Sequence, residues 1–306
     1  MSIWGKIIGG TAGFALGGPI GAILGVMIGG SIDRSKRKFS NYKNISHQQK
    51  QNIFALSIII LSAKIAKADG QVTKVENLSQ VNRDQMFRLM QECYRNVNRD
   101  LFEQDLEQKK WAILVCDQGG EIQGFSTQTI IQTSVDQRAI STLFSGDTVI
   151  SPDFWGKNPL FQIWGQFALS LIDQFSNQEL YWFLISKGVR TYRTLPLFFH
   201  DFWPRFDCDT PGAIEKIING LGSHSYPDHF DISAGVIRAS DVDYHLREGM
   251  GEVNEQRKMD PHCHFFEQMN PGHARGDELC CIAPLTRKNF RPAAYRVIGA
   301  PIPGRL

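Results

Sequence analysis

The chain has 306 residues, 42% hydrophobic and 21% charged, with a formal net charge of +2. That length allows one large domain or two modest ones, and the composition excludes a disordered or low-complexity chain. Charge is unevenly spread. Residues 1–76 carry Lys6, Arg34, Lys36, Arg37, Lys38, Lys43, Lys50, Lys64, Lys67 and Lys74 against Asp33, Asp69 and Glu76, and the remainder is mildly acidic. The asymmetry suggests two modules, the basic one suited to a membrane or a nucleic acid. Cys93, Cys116, Cys208, Cys263, Cys280 and Cys281 show neither a disulfide framework nor a CxxC motif, so they read as reduced thiols of a cytosolic domain.

Residues 7–30 hold no charge. As an α-helix they would extend about 36 Å, enough to cross a hydrocarbon core. Gly9, Gly13, Gly17, Gly21, Gly25 and Gly29 recur at every fourth position and lay a smooth ridge on one face, which favours close helix packing in lipid. Pro19 should kink such a helix. Basic residues follow the apolar run rather than preceding it, unlike a signal peptide, and no GxxxxGK[ST] phosphate loop is present. The expectation is a single transmembrane helix over 1–32, in contact with membrane lipid and able to form a homo-oligomer through its glycine face. Arg34, Lys36, Arg37 and Lys38 then place the C-terminal side in the cytoplasm, making this a single-pass inner-membrane protein.

Residues 46–68 read as an apolar or amphipathic helix ending at the turn signal Asp69-Gly70, and Thr73 with Glu76 predicts a capping box starting another helix. The strings WGKIIGG, GFALGGPIGAILG and KADGQVTKVE resemble the N-terminus of membrane-anchored DnaJ-like co-chaperones, in which a membrane segment precedes a helical domain of the tellurite-resistance B type. The resemblance covers about the first quarter of the chain. It implies a basic juxtamembrane and truncated helical segment over 33–78. No His-Pro-Asp tripeptide occurs, so the J-domain signature is missing.

Residues 82–107 have helical spacing, with Met86, Leu89, Met90, Cys93, Tyr94 and Val97 on one stripe, followed by Leu101, Phe102 and Leu106. A β-hairpin follows: an apolar strand over 111–116, a turn over 117–120, and a second strand over 121–127. Residues 143–151 predict a third strand, with Gly146 a possible bulge or point of close ligand approach. Pro159 and Asn158 suit the start of an apolar helix through Ile172, residues 181–186 read as a strand, and 194–206 as a helix.

This order of elements resembles the GNAT acyltransferase superfamily over about residues 80–300. The resemblance implies an α/β (α+β) fold over 79–306, a mixed sheet with flanking helices. It also implies acetyl-CoA or another acyl-CoA as donor and an unknown amine as acceptor. Laid on the family's Gln/Arg-x-x-Gly-x-Gly/Ala turn, Asp153 takes the first position, Gly156 the glycine and Asn158 the last. Such a turn bares N–H groups at a helix N-terminus to a pyrophosphate. Val149, Ile150, Gly156, Lys157 and Asn158 are the implied cofactor-binding residues. The place of the family's acidic tyrosine falls on Phe198, so Tyr192, Ser186 and His200 are the substitutes for a catalytic role. The alternative is a non-catalytic membrane assembly or co-chaperone-like protein with a degenerate acyltransferase fold.

Other clusters read more plainly. His262 and His264 would share one face of a strand near Cys263, His273 and Cys280, but the familiar zinc-ligand spacings are absent, so no metal is expected. Trp155, Trp164, Trp182 and Trp203 lie near the expected cleft and read as core. Lys187, Arg190 and Arg193 read as a solvated basic patch, and no aromatic-basic repeat supports nucleic-acid binding.

Overall fold

A computed structural model describes residues 70–154, 159–175, 178–240, 244–247 and 259–303. The expected membrane helix, the helix over 46–68 and the turn holding Trp155, Gly156, Lys157 and Asn158 lie outside the described residues. Among the described residues, no helix is long and apolar enough to cross a membrane.

The chain order is β1 (Gly70–Lys74), α1 (Gln80–Cys93), β2 (Tyr94–Arg95), α2 (Arg99–Glu107), β3 (Trp111–Cys116), β4 (Ile122–Val135), β5 (Arg138–Ile150), α3 (Pro159–Gln174) and β6 (Glu179–Ser186). There follow α4 (Val189–Tyr192), α5 (Thr194–Phe198), α6 (Gly212–Ser225), β7 (Phe230–Asp231), β8 (Val236–Ile237), β9 (His245–Leu246), α7 (Pro261–Met269), β10 (Glu278–Pro284) and α8 (Pro292–Ile298). One eight-stranded sheet runs β1-β3-β4-β5-β6-β10-β8-β7, and β2 pairs with β9 in a small second sheet. Neighbours in the large sheet are antiparallel except β5 and β6, which are parallel. This is the mixed sheet with flanking helices that the sequence predicts.

Helices cover both faces. On one face, Met86, Leu89 and Met90 of α1 and Phe102 and Leu106 of α2 bury against Ala112, Leu114, Phe125 and Val149. Ile214, Ile217, Ile218 and Leu221 of α6 pack against Ile140, Phe144 and Phe183. On the other face, Phe167 of α3 meets Trp111 at 5.2 Å and Trp164 meets Trp182 at 4.3 Å between ring centroids. Alternation along β3, with Ala112 and Leu114 toward α1 and Trp111 toward α3, separates the two cores.

Four expectations change. Thr73 and Glu76 do not start a helix. Residues 70–74 form the edge strand β1, whose Val72 pairs with Ile113, and the next three residues make only a 3-10 turn. The capping box lies further on, where Ser79 and Asn82 exchange hydrogen bonds at the start of α1. The sheet therefore begins at Gly70, inside the segment 33–78 assigned to truncated helices. The stripe over 82–107 is likewise two helices, because Asn96 turns the chain at φ 60° and the Asn98 side chain caps α2.

The helix expected over 194–206 ends at Phe198. Trp203 instead exchanges backbone hydrogen bonds with Ile282 of β10, and Pro204 cannot donate to a helical ladder. Finally, His262 and His264 lie on α7, not a strand. Asp260 caps that helix and Pro261 occupies its first turn, so the two imidazoles no longer share a face. Among the described residues no group of three or more His, Cys, Asp or Glu is placed to hold a metal ion.

Candidate functional site

The parallel pairing of β5 with β6 runs from Ile140↔Glu179 to Ser145↔Leu184 and stops there. Both strands continue. Residues 148–150 stay paired to β4, and Ile185 and Ser186 stay paired to β10. The two strands therefore diverge and open a gap in the middle of the sheet.

A bulge sits where the gap begins. Ser126 pairs with Thr148, but Gln128 pairs with Ser145, so β5 carries one residue more than β4 across this interval. The extra residue changes which way the chain faces. Phe144 packs toward α6, and beyond the bulge Val149 packs with the α1–α2 core. Asp147 is turned to that same side, where its carboxylate accepts the hydroxyl proton of Tyr244. Gly146 is required here: a Cβ would lie 2.7 Å from Lys109 Cε and 2.7 Å from Thr127 Oγ1. A buried polar chain holds the other side of the bulge. Trp182 Nε1 donates to Ser145 Oγ (2.9 Å), Ser145 Oγ to Gln128 Oε1 (2.7 Å), and Gln128 Nε2 to Ser126 Oγ (2.7 Å).

A cavity of about 840 Å³ occupies the gap. Its walls include Ser145 and Thr148 from one side of β5 and Asp147 and Val149 from the other, together with both Leu184 and Ile185 of β6. Side chains of opposite orientation thus line one space, which passes through the sheet. On the α3 side it meets Leu160, Phe161, Trp164, Arg190 and Leu197. Trp164 is buried, and its Nε1–H has no hydrogen-bond partner among the described residues. On the α1–α2 side the cavity meets Met90, Val97, Leu101 and Phe102, then a polar centre built around Asp147.

That centre is closely packed. The β2–β9 pairing brings Tyr244 against Tyr94, edge to face at 5.1 Å. Lys187 Nζ lies 3.7 Å above the Tyr244 ring and 3.8 Å from Glu278, while Lys109 pairs with Asp105. Burial, reinforced by the Asp105 carboxylate, holds the Asp147 pKa above the ordinary carboxylate value, against the opposing effects of the Tyr244 hydroxyl, Lys109 and Lys187. Burial and the Asp147 charge push the Tyr244 phenol well up, so it stays protonated. A carboxyl group with a raised pKa, oriented by a phenol that remains a donor, can accept a proton from a bound substrate.

Comparison with known proteins concerns the two parts of the chain separately. Residues 1–48 match the family model described as the co-chaperone DjlA transmembrane domain. The co-chaperone protein DjlA of Legionella pneumophila is 35% identical over 78 residues, 24% of this chain and 26% of that protein. The match thus spans about a quarter of the length of this curated relative. Among solved structures, an aminoglycoside 6'-N-acetyltransferase complexed with coenzyme A aligns over 70% of this chain and 97% of its own, at 9% identity and a TM-score of 0.33. An Escherichia coli GNAT family N-acetyltransferase in complex with CoA aligns over 42% and 68%, at 10% identity and a TM-score of 0.32. A probable N-acyltransferase from Enterococcus faecalis aligns over 44% and 33%, at 16% identity and a TM-score of 0.33.

The residues singled out in the sequence are scattered relative to the cavity. Val149 and Ile150 line it. Tyr192, Ser186 and His200 do not. The Tyr192 hydroxyl donates to the Pro204 carbonyl (2.9 Å) inside a cage of Phe202, Phe265 and Phe266, and burial raises its pKa. Ser186 Oγ is buried and donates to the Gly188 carbonyl (2.8 Å). His200 is exposed, and its backbone N–H donates to Asn289. The basic residues Lys187, Arg190 and Arg193 line the cavity rather than a solvated face, and Trp164 and Trp182 do so while also serving as core. Asp147, Tyr244 and Lys109 went unmarked. The Gly146 signal stood beside Asp147, but Tyr244 lies 97 residues downstream and no periodic pattern ties the two together.

Proposed function

We propose that the domain is an N-acyltransferase, tethered to the inner membrane by the N-terminal segment and facing the cytoplasm. The gap between β5 and β6 carries this reading, because it lets a donor from the α3 side and an acceptor from the α1–α2 side meet within the sheet. Acyl-CoA would supply an activated thioester. The residues on the α3 side suit such a donor: in the sequence Gly156, Lys157 and Asn158 directly precede α3, Arg190 brings positive charge toward its phosphates while Arg193 is held by Asp260, and Trp164 Nε1–H offers a hydrogen bond to an amide carbonyl of its arm. Val149 and Ile150 flank the path.

In the reaction proposed, the acceptor nitrogen bonds to the acyl carbon and the carbon–sulfur bond breaks. Asp147 takes the proton that the ammonium must lose before attack, and the second proton, which the nitrogen loses as the amide forms, passes through solvent to the departing thiolate. Tyr244 keeps its proton and orients the Asp147 carboxylate. Proximity within the gap supplies much of the rate.

The match of residues 1–48 to a transmembrane family model supports the tether, as does the uncharged glycine-ribbed run. We include lipid contact and self-association through that run in the proposal.

Calorimetry on the full chain in detergent tests the donor. Acetyl-CoA should bind, Gly156→Trp should abolish binding, and Asp147→Asn should keep binding while losing transfer. No heat at millimolar acetyl-CoA or longer acyl-CoA would instead leave a non-catalytic membrane assembly protein.

A further inference from the structure

The α1–α2 side of the cavity has a composition that specifies a ligand class. Its far wall is mostly apolar, from Met90, Val97, Leu101 and Phe102 with Asn96 and Asn98 at its edge, and its near end is Asp147 at the gap. The cations around that end are each held by carboxylates. Lys109 is bound to Asp105, Lys187 is paired with Glu278, and Arg238 is held by Asp231 and Asp277 at 2.7 and 2.8 Å. Asp147 is the exception: its hydrogen-bond partner is the neutral Tyr244 hydroxyl, and among the described residues it makes no ion pair. Asp147 lines the cavity.

A carboxylate in such a place is costly unless a cation joins it. Two phenol rings, Tyr94 and Tyr244, stand beside it, and the Tyr244 face already holds one ammonium, that of Lys187, at 3.7 Å. An entering cation would therefore find a carboxylate, aromatic rings and, beyond them, an apolar chamber.

From this we infer that the acceptor is an amphipathic primary amine, whose ammonium pairs with Asp147 and whose apolar body fills the chamber between α1 and α2. The inference rests on the acyltransferase reading for the word acceptor, but the binding site itself is independent of the donor. It disfavours polyamines and sugar amines, whose polar bodies would have to lie against Met90, Val97 and Phe102.

The test is equilibrium binding to the full chain in detergent, with 2-phenylethylamine, its neutral counterpart 2-phenylethanol, and methylamine as the amine without a body. 2-Phenylethylamine should bind about tenfold or more tighter than either, the scale of one well-made charged contact. Asp147→Asn should erase the preference for amine over alcohol. Leu101→Lys, at a position 50% exposed and so tolerant of substitution, should weaken amine binding while leaving acetyl-CoA affinity unchanged. Equal affinity for amine and alcohol would overturn the inference, as would an unaltered preference in Asp147→Asn. So would affinity for acyl-CoA that rises with chain length and is lost in Leu101→Lys, because the chamber would then hold the acyl chain. Selective amine binding without any acyl-CoA binding would uphold the site and remove the donor reading instead.

Discussion

At the scale of single residues, the bulge at Gly146 decides what the Asp147 side chain can do. In a regular strand Asp147 would face α3 and the tryptophans, where Ser145 and Thr148 now lie. One inserted residue moves it to the face that holds Tyr244 and Lys187. Its raised pKa has a consequence for stability. The folded chain holds this proton to higher pH than the unfolded chain, whose aspartate titrates near ~3.9. Between those two values the folded state binds more protons, so stability falls as pH rises through the window. Below the unfolded value both states are protonated and the effect vanishes. Asp147→Asn removes the titration and still offers Tyr244 an acceptor oxygen. The variant should unfold at a urea midpoint close to that of the parent chain at pH 4 and above it at pH 7, with the gap opening between. A constant difference across pH 4 to 7 would mean that Asp147 titrates normally.

At the scale of elements, the gap persists because a buried polar chain fixes the strands on either side of it. Gln128 is fully buried on β4 and bridges Ser126 and Ser145, while Trp182 of β6 donates to that same Ser145. Gln128→Leu keeps the approximate volume but leaves the Ser145 hydroxyl proton without its acceptor. Leaving a buried group unsatisfied costs about 1–3 kcal/mol. The unfolding free energy should drop by that amount, seen as a lower denaturation midpoint with an unchanged slope, and acetyl-CoA binding should weaken with it. A loss of stability with full donor affinity would show that the chain supports the sheet but not the gap.

The same elements show what a sequence can disclose. β3, β6 and α3 were legible because their apolar residues repeat with the period of a strand or helix and are bounded by turn residues. Gly146 was legible as an interruption. Asp147, Tyr244 and Lys109 were not, because a polar residue facing a cavity and one facing solvent leave the same mark in the pattern. The end of α5 was also hidden. The aromatic residues after Phe198 have helix-compatible spacing, and only the pairing of Trp203 with Ile282 shows that they serve the sheet.

At the scale of the whole molecule, the question is where the folded α/β body begins. The sequence suggested residue 79, after the helical segment. The sheet includes β1, however, which pairs with β3 from Gly70↔Val115 to Lys74↔Trp111. Val72 and Val75 are 2% and 5% exposed, and a Cβ on Gly70 would lie 2.2 Å from Ile163 Cδ1, so the strand fits tightly under α3. Removing this strand and the turn after it would forfeit the burial of two valines, about 3–6 kcal/mol. That is a large part of a typical domain's stability of about 5–15 kcal/mol. It would also turn β3 into an open edge, although Trp111 through Val115 are no more than 1% exposed in the complete sheet. An apolar edge of that kind invites pairing with other chains. A chain shortened to residues 56–306 should therefore melt cooperatively and remain in solution, whereas one shortened to 79–306 should aggregate or bind an apolar dye at temperatures where the longer chain is native. Equal melting temperatures for the two would show that β1 is dispensable and that the α/β body begins after it.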